Sequence, residues 1–350
     1  MKKIKFAILG LGRVINIRGL KLFSKDLKFS KVDIVFDKDK KKTLETSNFF
    51  KCKPAKNFLE GLKSDVDYVY IATESGNHYH HILKCLKYNK NVIVEKPPVL
   101  KVNQLVKLER IASKRKLDFF SIFQNRENKS VRYLKSILKK NKEKIIFAEL
   151  SLIWSRPQSY YNDWHGKWKM DGGVLAQQGI HYIDLLNFLI GQPIKCISHT
   201  SNKTNKLQAE DTHSSLIIFK KNISCTVNLS TGFRPNDFEA SIKIFCRDKI
   251  FILHGLCCNK ISFFDLKKYK KKSLKDYSEN VSNGYGNSHK EVFQNIINYK
   301  LGLKRKKNLK PLNAIDTLCT IKLLNMLYKS AEDRRWINYN NNNLTSKLGN

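Results

Sequence analysis

Two short stretches hold residue types and spacings suited to moving a proton. In NVIVEKPPVL, residues 91–100, a strand-like apolar run passes directly into an acid, a base and two prolines, Glu95-Lys96-Pro97-Pro98. In MDGGVLAQQGIHYIDLL, residues 170–186, Gln177, His181 and Asp184 recur at intervals of four and three, so one helix face can carry all three. A general base needs a pKa near the working pH. Histidine meets that requirement unperturbed, whereas lysine meets it only where burial or a neighbouring cation lowers its pKa. A lone histidine on an apolar helix is more often a core residue, and a lysine after a strand is more often a solvated end. Neither His181-x-x-Asp184 nor the His78-Tyr79-His80-His81 run comes with partner ligands, so the expectation is no metal.

What joins the two stretches is a third. Gly10-Leu11-Gly12-Arg13-Val14-Ile15 follows an apolar strand, IKFAIL, and opens a helix. In that setting glycines let the backbone turn tightly and approach a pyrophosphate, whose charge a helix N-terminus favours. Ile15 replaces the third glycine of the dinucleotide fingerprint. The second strand ends at Asp37, which suits the ribose hydroxyls of an adenosine and argues for NAD over NADP. Lys38, Lys40, Lys41 and Lys42 lie just beyond and could instead meet a 2′-phosphate. After the fourth strand, Thr73, Ser75, Asn77 and His78 fall where ligands of doubly wound sheets bind, although Ser75 or Asn77 could simply cap the next helix. With a dinucleotide in place, the oxidised nicotinamide is the cation that would lower the pKa of Lys96. Hydride removal from a secondary alcohol then needs a base for the hydroxyl proton, and Lys96 and His181 are the two candidates.

The elements that must position these residues follow from the rhythm of the chain. Up to about residue 123, short apolar runs (IKFAIL, VDIVF, DYVYIA, NVIV, DFFSIF) alternate with amphipathic stretches, which implies a parallel sheet with helices on both faces. Beyond it, a helix at 130–140 precedes longer strand-like runs whose turn signals imply a largely antiparallel sheet, interrupted by an apolar helix at 174–190. Two helices close the chain. The expected organisation is α/β: a doubly wound dinucleotide-binding domain at 1–123, an α+β domain at 124–337, and a polar, asparagine-rich tail at 338–350.

Composition narrows the class. The start MKKIKFAILGLG breaks at Gly10 and Gly12 without a cleavage site, and no apolar run approaches the ~20 residues of a membrane span, so a cytoplasmic location without membrane contact is expected. The eight cysteines are scattered, with no C-x-x-C pair, which fits reduced thiols. A net charge of +36 invites nucleic acid, but the lysines are spread through nearly every segment and no recognition motif accompanies them. A small anionic substrate is the better-supported partner, drawn in by that field.

On these motifs the chain resembles the Gfo/Idh/MocA oxidoreductases: GLGRVI is similar to their cofactor turn, EKP to their signature, GGVLAQQGIHYIDLL to their G-G-x-L-x-D-x-G-x-H helix, and AEDRRWI to their closing segment. The resemblance implies a Rossmann domain followed by an open-faced sheet that commonly pairs subunits into a dimer or tetramer. It implies that Lys96 and His181 are the catalytic pair, that Glu95 holds the lysine and nicotinamide geometry, and that the Lys96-Pro97 bond is cis. Gln177 departs from the family's usual aspartate. Gln124-Asn125-Arg126 and SRPQSYYNDWHGKWKMDGG are similar to the subgroup that oxidises the 3-hydroxyl of UDP-N-acetyl-2-amino-2-deoxyglucuronate, for surface polysaccharide or lipopolysaccharide biosynthesis. That likeness implies a sugar pocket bordered by Arg156, Tyr160, Tyr161, Trp164 and Gln177, with Tyr285 and His289 near the nucleotide. Oxidation of a free sugar or inositol is the alternative within the family. A non-catalytic dinucleotide-binding regulator is the alternative outside it.

Overall fold

The computed structural model describes residues 2–140, 144–303, 310–340 and 344–350. In chain order its elements are β1 (Ile4–Leu9), β2 (Ser30–Phe36), α1 (Lys40–Phe50), β3 (Lys53–Pro54), α2 (Phe58–Lys63), β4 (Tyr68–Ile71), α3 (His78–Lys87), β5 (Asn91–Val94), α4 (Val102–Lys114) and β6 (Phe119–Ser121). There follow α5 (Lys129–Lys140), β7 (Ile145–Ile153), α6 (Ile180–Leu189), β8 (Pro193–Ser201), β9 (Thr212–Phe219), β10 (Ile223–Ser230), β11 (Glu239–Cys246), β12 (Lys249–His254), β13 (Lys260–Asp265) and β14 (Lys270–Ser273). The chain then forms α7 (His289–Lys300), α8 (Leu318–Asp333) and β15 (Ile337–Asn338). Two compact units result. One takes the chain up to Gln124 together with Ser288–Leu318, and the other takes Asn125–Asn287 with Cys319–Asn350.

The first unit is a parallel sheet in the order β3-β2-β1-β4-β5-β6. Its central strands are apolar throughout, as burial on both faces requires: Phe6, Ala7, Ile8, Val69, Ile71, Val92 and Ile93 are all fully buried. Strand order reverses beside β1, and at such a switch point the carboxyl ends of the strands leave a crevice for ligand. The chain returns to this unit late. Phe293, Ile296 and Ile297 of α7 join Phe6, Phe23, Tyr68 and Tyr70 in one core, with Phe293 packed edge-on against Phe23 at 5.1 Å and Tyr70 at 4.9 Å. A division made along the sequence alone assigns α7 to the second domain, because an amphipathic pattern marks an apolar face without saying which core receives it.

The second unit holds a sheet ordered β14-β13-β12-β11-β7-β10-β9-β8-β15, antiparallel except where β10 meets β7. Along β10, Cys225, Val227 and Leu229 are buried while Thr226 and Asn228 are exposed, the alternation of a sheet solvated on one face. The α6 helix is apolar nearly all round, with Ile180, Tyr182, Ile183, Leu185 and Leu186 buried, so it lies inside the unit.

The polar tail is not a loose end. Ile337 and Asn338 pair with β8, the Tyr339 N–H donates to the Ile194 carbonyl at 2.7 Å, and the Gly349 N–H donates to the Trp168 carbonyl at 2.8 Å. Leu348 is fully buried. These contacts come from single residues among the asparagines, and composition averages such residues away; residues 341–343 of the tail lie outside the described residues. Among the described residues no helix is long and apolar enough to cross a membrane.

Candidate active site

In the first unit the glycine turn is fixed by sterics. Gly10 sits at φ +93°, and a Cβ there would lie 2.6 Å from the backbone of Ala72 and Thr73, so only glycine fits between β1 and the end of β4. Gly12 differs, because a Cβ built on it meets nothing within 4 Å. The space it leaves is a cradle that a side chain would fill. The Asp37 carboxylate is fixed beside this turn, accepting the Leu11 N–H at 2.7 Å and the Asp39 N–H at 2.9 Å. Each of its oxygens keeps a further lone pair for a ribose hydroxyl. Lys38, a candidate for a 2′-phosphate, is paired with Glu74. Arg13 is exposed, Val14 half-buried and Ile15 fully buried at the start of a helix that opens with wide, π-type turns.

At the end of β4, Thr73 Oγ1 meets His81 Nδ1 at 2.9 Å, and Ser75 is buried. Asn77 donates to Glu74 and its side chain does not cap α3, so the capping alternative is not realised there. His78, expected to touch cofactor, is engaged within the chain. It is 1% exposed, and its ring nitrogens face the Pro97 carbonyl at 2.7 Å and the Thr73 carbonyl at 3.0 Å. Burial pulls its pKa down against the pull of the two carbonyls, and a neutral ring donates to only one of them. His78 thereby sits between the end of β4 and the turn after β5.

That turn carries Glu95 and Lys96, and the Lys96-Pro97 peptide is cis, as the resemblance implies. Glu95 is 8% exposed and its Oε1 accepts the Tyr70 hydroxyl at 2.7 Å. His289, which the subgroup likeness sets near the nucleotide, lies 3.6 Å from the same oxygen, is itself buried, and so stands beside the EKP turn. Burial pushes the Glu95 carboxyl up, yet its interactions with His289, Tyr70 and Lys96 outweigh that and hold it below the ordinary value. A half-buried lysine thus follows a buried carboxylate. Gln124, 2% exposed, ends the first segment of this unit.

In the second unit, Gln177 lies in a wide-turned segment, Leu175–Gly179, that runs directly into α6, where His181 is half-buried. Asp184 does not stand free beside them. Its carboxylate is gripped by Arg126 Nε at 2.7 Å and Nη2 at 2.6 Å and by Thr320 Oγ1 at 2.8 Å. Arg126, expected to reach substrate, is thus paired with a carboxylate of α6, and Asn125 beside it is 2% exposed. The Arg156 guanidinium lies against the Trp154 ring at 4.9 Å and the Tyr160 ring at 5.5 Å and bonds Asp237 at 2.7 Å. Tyr161 is buried with its hydroxyl on Thr231 at 2.8 Å, and burial pushes its pKa up to about 12. Trp164 stacks on His165 at 3.9 Å, with Tyr160 4.4 Å away from that imidazole. Tyr285 is half-buried in the loop after β14.

Sequence reasoning missed Tyr70, which holds Glu95; Trp154 and Asp237, which hold Arg156; and Glu210 and Tyr328, which hold the turn before Gln177. Gly284 of the GYG loop packs so closely on the Trp154 ring that a Cβ would approach it to 2.5 Å. That glycine was the one available signal. Among the described residues no cluster of three or more metal-ligating side chains occurs.

The pattern of the oxidoreductase family with an NAD-binding Rossmann fold matches residues 4–123, and that of its C-terminal α/β domain matches residues 143–339. The chain belongs to the Gfo/Idh/MocA family. Its first matched domain is that oxidoreductase family's NAD-binding Rossmann fold, and its Gly10 turn, open Gly12 cradle and fixed Asp37 suit a dinucleotide. A curated relative, the scyllo-inositol 2-dehydrogenase (NADP(+)) IolW of Bacillus subtilis, is 30% identical over 139 residues, 39% of this chain and 38% of its own. Another curated relative is matched over 63% of its own length. Among solved structures, the WlbA dehydrogenase of Bordetella pertussis in complex with NADH and UDP-GlcNAcA superposes with a TM-score of 0.83 at 22% identity, covering 96% of this chain and 99% of that one. The UDP-N-acetylglucosamine 3-dehydrogenase GnnA of Acidithiobacillus ferrooxidans gives 0.77 at 14% identity, over 95% and 99%. At such identities these two establish the fold.

Proposed function

We propose that this Gfo/Idh/MocA protein oxidises the C3 hydroxyl of a nucleotide-linked sugar, a UDP-2-acetamido-2-deoxyglucuronate or close analogue, with NAD as hydride acceptor. The observation that carries the reading is Lys96 and His181 retained in a chain whose dinucleotide turn is intact. The Arg156, Tyr160 and Trp164 stretch, similar to the subgroup that oxidises UDP-sugar acids, supports the substrate class, as does full-length likeness to a dehydrogenase solved with UDP-GlcNAcA.

When bound, NAD supplies the acceptor for the hydride leaving C3. The chain's own part is the proton. Lys96 or His181 takes it from the C3 hydroxyl, so that the product is a neutral ketone. Glu95, whose carboxyl His289, Tyr70 and Lys96 hold below its ordinary value, sets an anion directly before Lys96 in the turn. Arg156, with its guanidinium face on two aromatic rings, suits an anionic substrate group.

The test is to mix purified protein with NAD and a panel of UDP-sugars, inositols and free sugars and follow the absorbance of reduced nicotinamide. Reduction with the UDP-sugar acid supports the reading; reduction only with inositol or a free sugar replaces it with the function of the curated relative. Lys96→Met should abolish turnover and leave NAD binding intact.

A further inference from the structure

The first turn leading into Gln177 and His181 is capped in an unusual way. A helix start leaves its N–H groups without intrahelical partners. Here the Gly173 and Ala176 N–H groups donate to the Tyr328 hydroxyl at 3.2 and 3.3 Å, the Val174 N–H to the Glu210 carbonyl at 2.9 Å, and the Leu175 N–H to Glu210 Oε1 at 3.0 Å. Tyr328 then donates its own proton to the same Oε1 at 2.9 Å, and the Gln177 N–H reaches the Gly173 carbonyl at 3.0 Å as the regular ladder begins. Two residues thus satisfy four consecutive donors. The approach is so close that a Cβ on Gly173 would lie 2.4 Å from Glu210 Oε2, which is why the second glycine of the GG pair is required.

Glu210 is 2% exposed, and its Oε2 has no hydrogen-bond partner among the described residues. The groups acting on it are dipoles and an anion: Tyr328 from α8, the N–H donor of Leu175, and Asp211 next in the chain. The turn's own acid, Asp171, accepts the Gly166 N–H at its Oδ1. Burial pushes the Glu210 carboxyl up to about 8, and Asp211 adds to the rise.

We propose that Glu210 is a positioning residue for the reaction: uncharged, it and Tyr328 fix the turn that delivers Gln177 and His181, and its ionisation releases that turn. The proposal rests on the function assigned above for the role of His181. An ionised Glu210 would leave a buried anion whose second oxygen has no donor, so either water enters or the turn opens. Both outcomes move His181.

The experiment compares wild type with Glu210→Gln, which cannot ionise, across pH 6 to 10 (a range of roughly two units either side of the transition). Two signals are read: the His181 ring resonances by NMR, assigned by their loss in His181→Ala, and kcat with NAD and the UDP-sugar acid. In wild type the ring should show an inflection near 8 with kcat falling about tenfold per pH unit above it. In Glu210→Gln the inflection should vanish and the alkaline limb of kcat should move upward. Superimposable profiles in the two proteins overturn the proposal. If no sugar is turned over, the functional reading has failed, and the ring resonances alone decide the role of Glu210. Tyr328→Phe, which removes the shared hydroxyl, should lower kcat at least fivefold (about 1 kcal/mol) with KM for NAD nearly unchanged, and wild-type kcat there also overturns the proposal.

Discussion

Gly10 and Gly12 sit two residues apart in one turn, yet adding a methyl group to each should have opposite consequences. At Gly10 the new Cβ falls 2.6 Å from backbone atoms of Ala72 and Thr73, which cannot swing aside as a side chain would, and φ is +93°. Left-handed backbone strain costs roughly 1–2 kcal/mol and overpacking roughly 1–3 kcal/mol, so Gly10→Ala should destabilise the first unit by about 2–5 kcal/mol. At Gly12 nothing lies within 4 Å. Gly12→Ala should leave stability unchanged or raise it by up to ~1 kcal/mol through the unfolded chain. Its methyl group occupies the cradle instead, so the Kd for NAD should rise at least tenfold, about 1.4 kcal/mol. The four tryptophans, Trp154, Trp164, Trp168 and Trp336, all belong to the second unit, so indole fluorescence is blind to this effect. Amide hydrogen exchange of β1 and β4 reports it, with opening about thirtyfold or more frequent in Gly10→Ala, and calorimetric titration reports NAD. Equal destabilisation by the two substitutions, or wild-type NAD affinity in Gly12→Ala, would refute the steric argument.

Three further substitutions test the braces. Asp184→Asn leaves Arg126, whose side chain is 15% exposed, facing an amide, and should cost about 3–5 kcal/mol in the urea midpoint followed by tryptophan fluorescence; a loss below 1 kcal/mol would show the pair to be screened. Tyr70→Phe removes the hydroxyl that donates to the Glu95 carboxylate and should cost about 1.5–3 kcal/mol at pH near 7. That gap should narrow in acid as Glu95 protonates, and a gap independent of pH would assign it to packing alone. Leu348→Ala empties a fully buried site beside Gly172 and should cost about 2–3 kcal/mol locally, so trypsin should cut after the exposed Lys167 and Lys169 at least tenfold faster.

What the sequence made legible was local. Strands of the first unit announce themselves as apolar runs because parallel strands are buried on both faces, and the glycine turn announces itself because backbone approach admits no other residue. Lys96 and His181 could be singled out because each interrupts an apolar element. The braces could not be read, since they join residues far apart in the chain: Arg126 to Asp184, Tyr70 to Glu95, Glu210 to the turn at Gly173. Arg126 and His78 are read from sequence as ligand-binding residues because an arginine or histidine next to a motif has the right chemistry for it, and their partners inside the chain carry no sequence signal. Those partners are a buried carboxylate and two backbone carbonyls. The return of α7 to the first core is illegible for the same reason.

Glu95 and Glu210 show how far partners decide chemistry. Both are buried glutamates accepting a tyrosine hydroxyl, so burial raises both carboxyls. Glu95 also faces His289 and Lys96, and these tip it below its ordinary value; Glu210 faces Asp211, and rises to about 8. The signs of linkage are therefore opposite. A depressed carboxyl stabilises the fold above its unfolded pKa and loses that contribution as pH falls, so Glu95 makes the first unit acid-sensitive. A raised one binds its proton more tightly when folded, so the second unit loses stability as pH climbs from the unfolded value of 4.5 toward 8, by up to ~1.4 kcal/mol per unit. Tryptophan fluorescence, confined to the second unit, should show its urea midpoint falling across that interval in wild type and holding level in Glu210→Gln, while exchange in β4 and β5 accelerates only in acid. A single pH trend shared by both units would mean that net charge, and not these two carboxyls, governs the response.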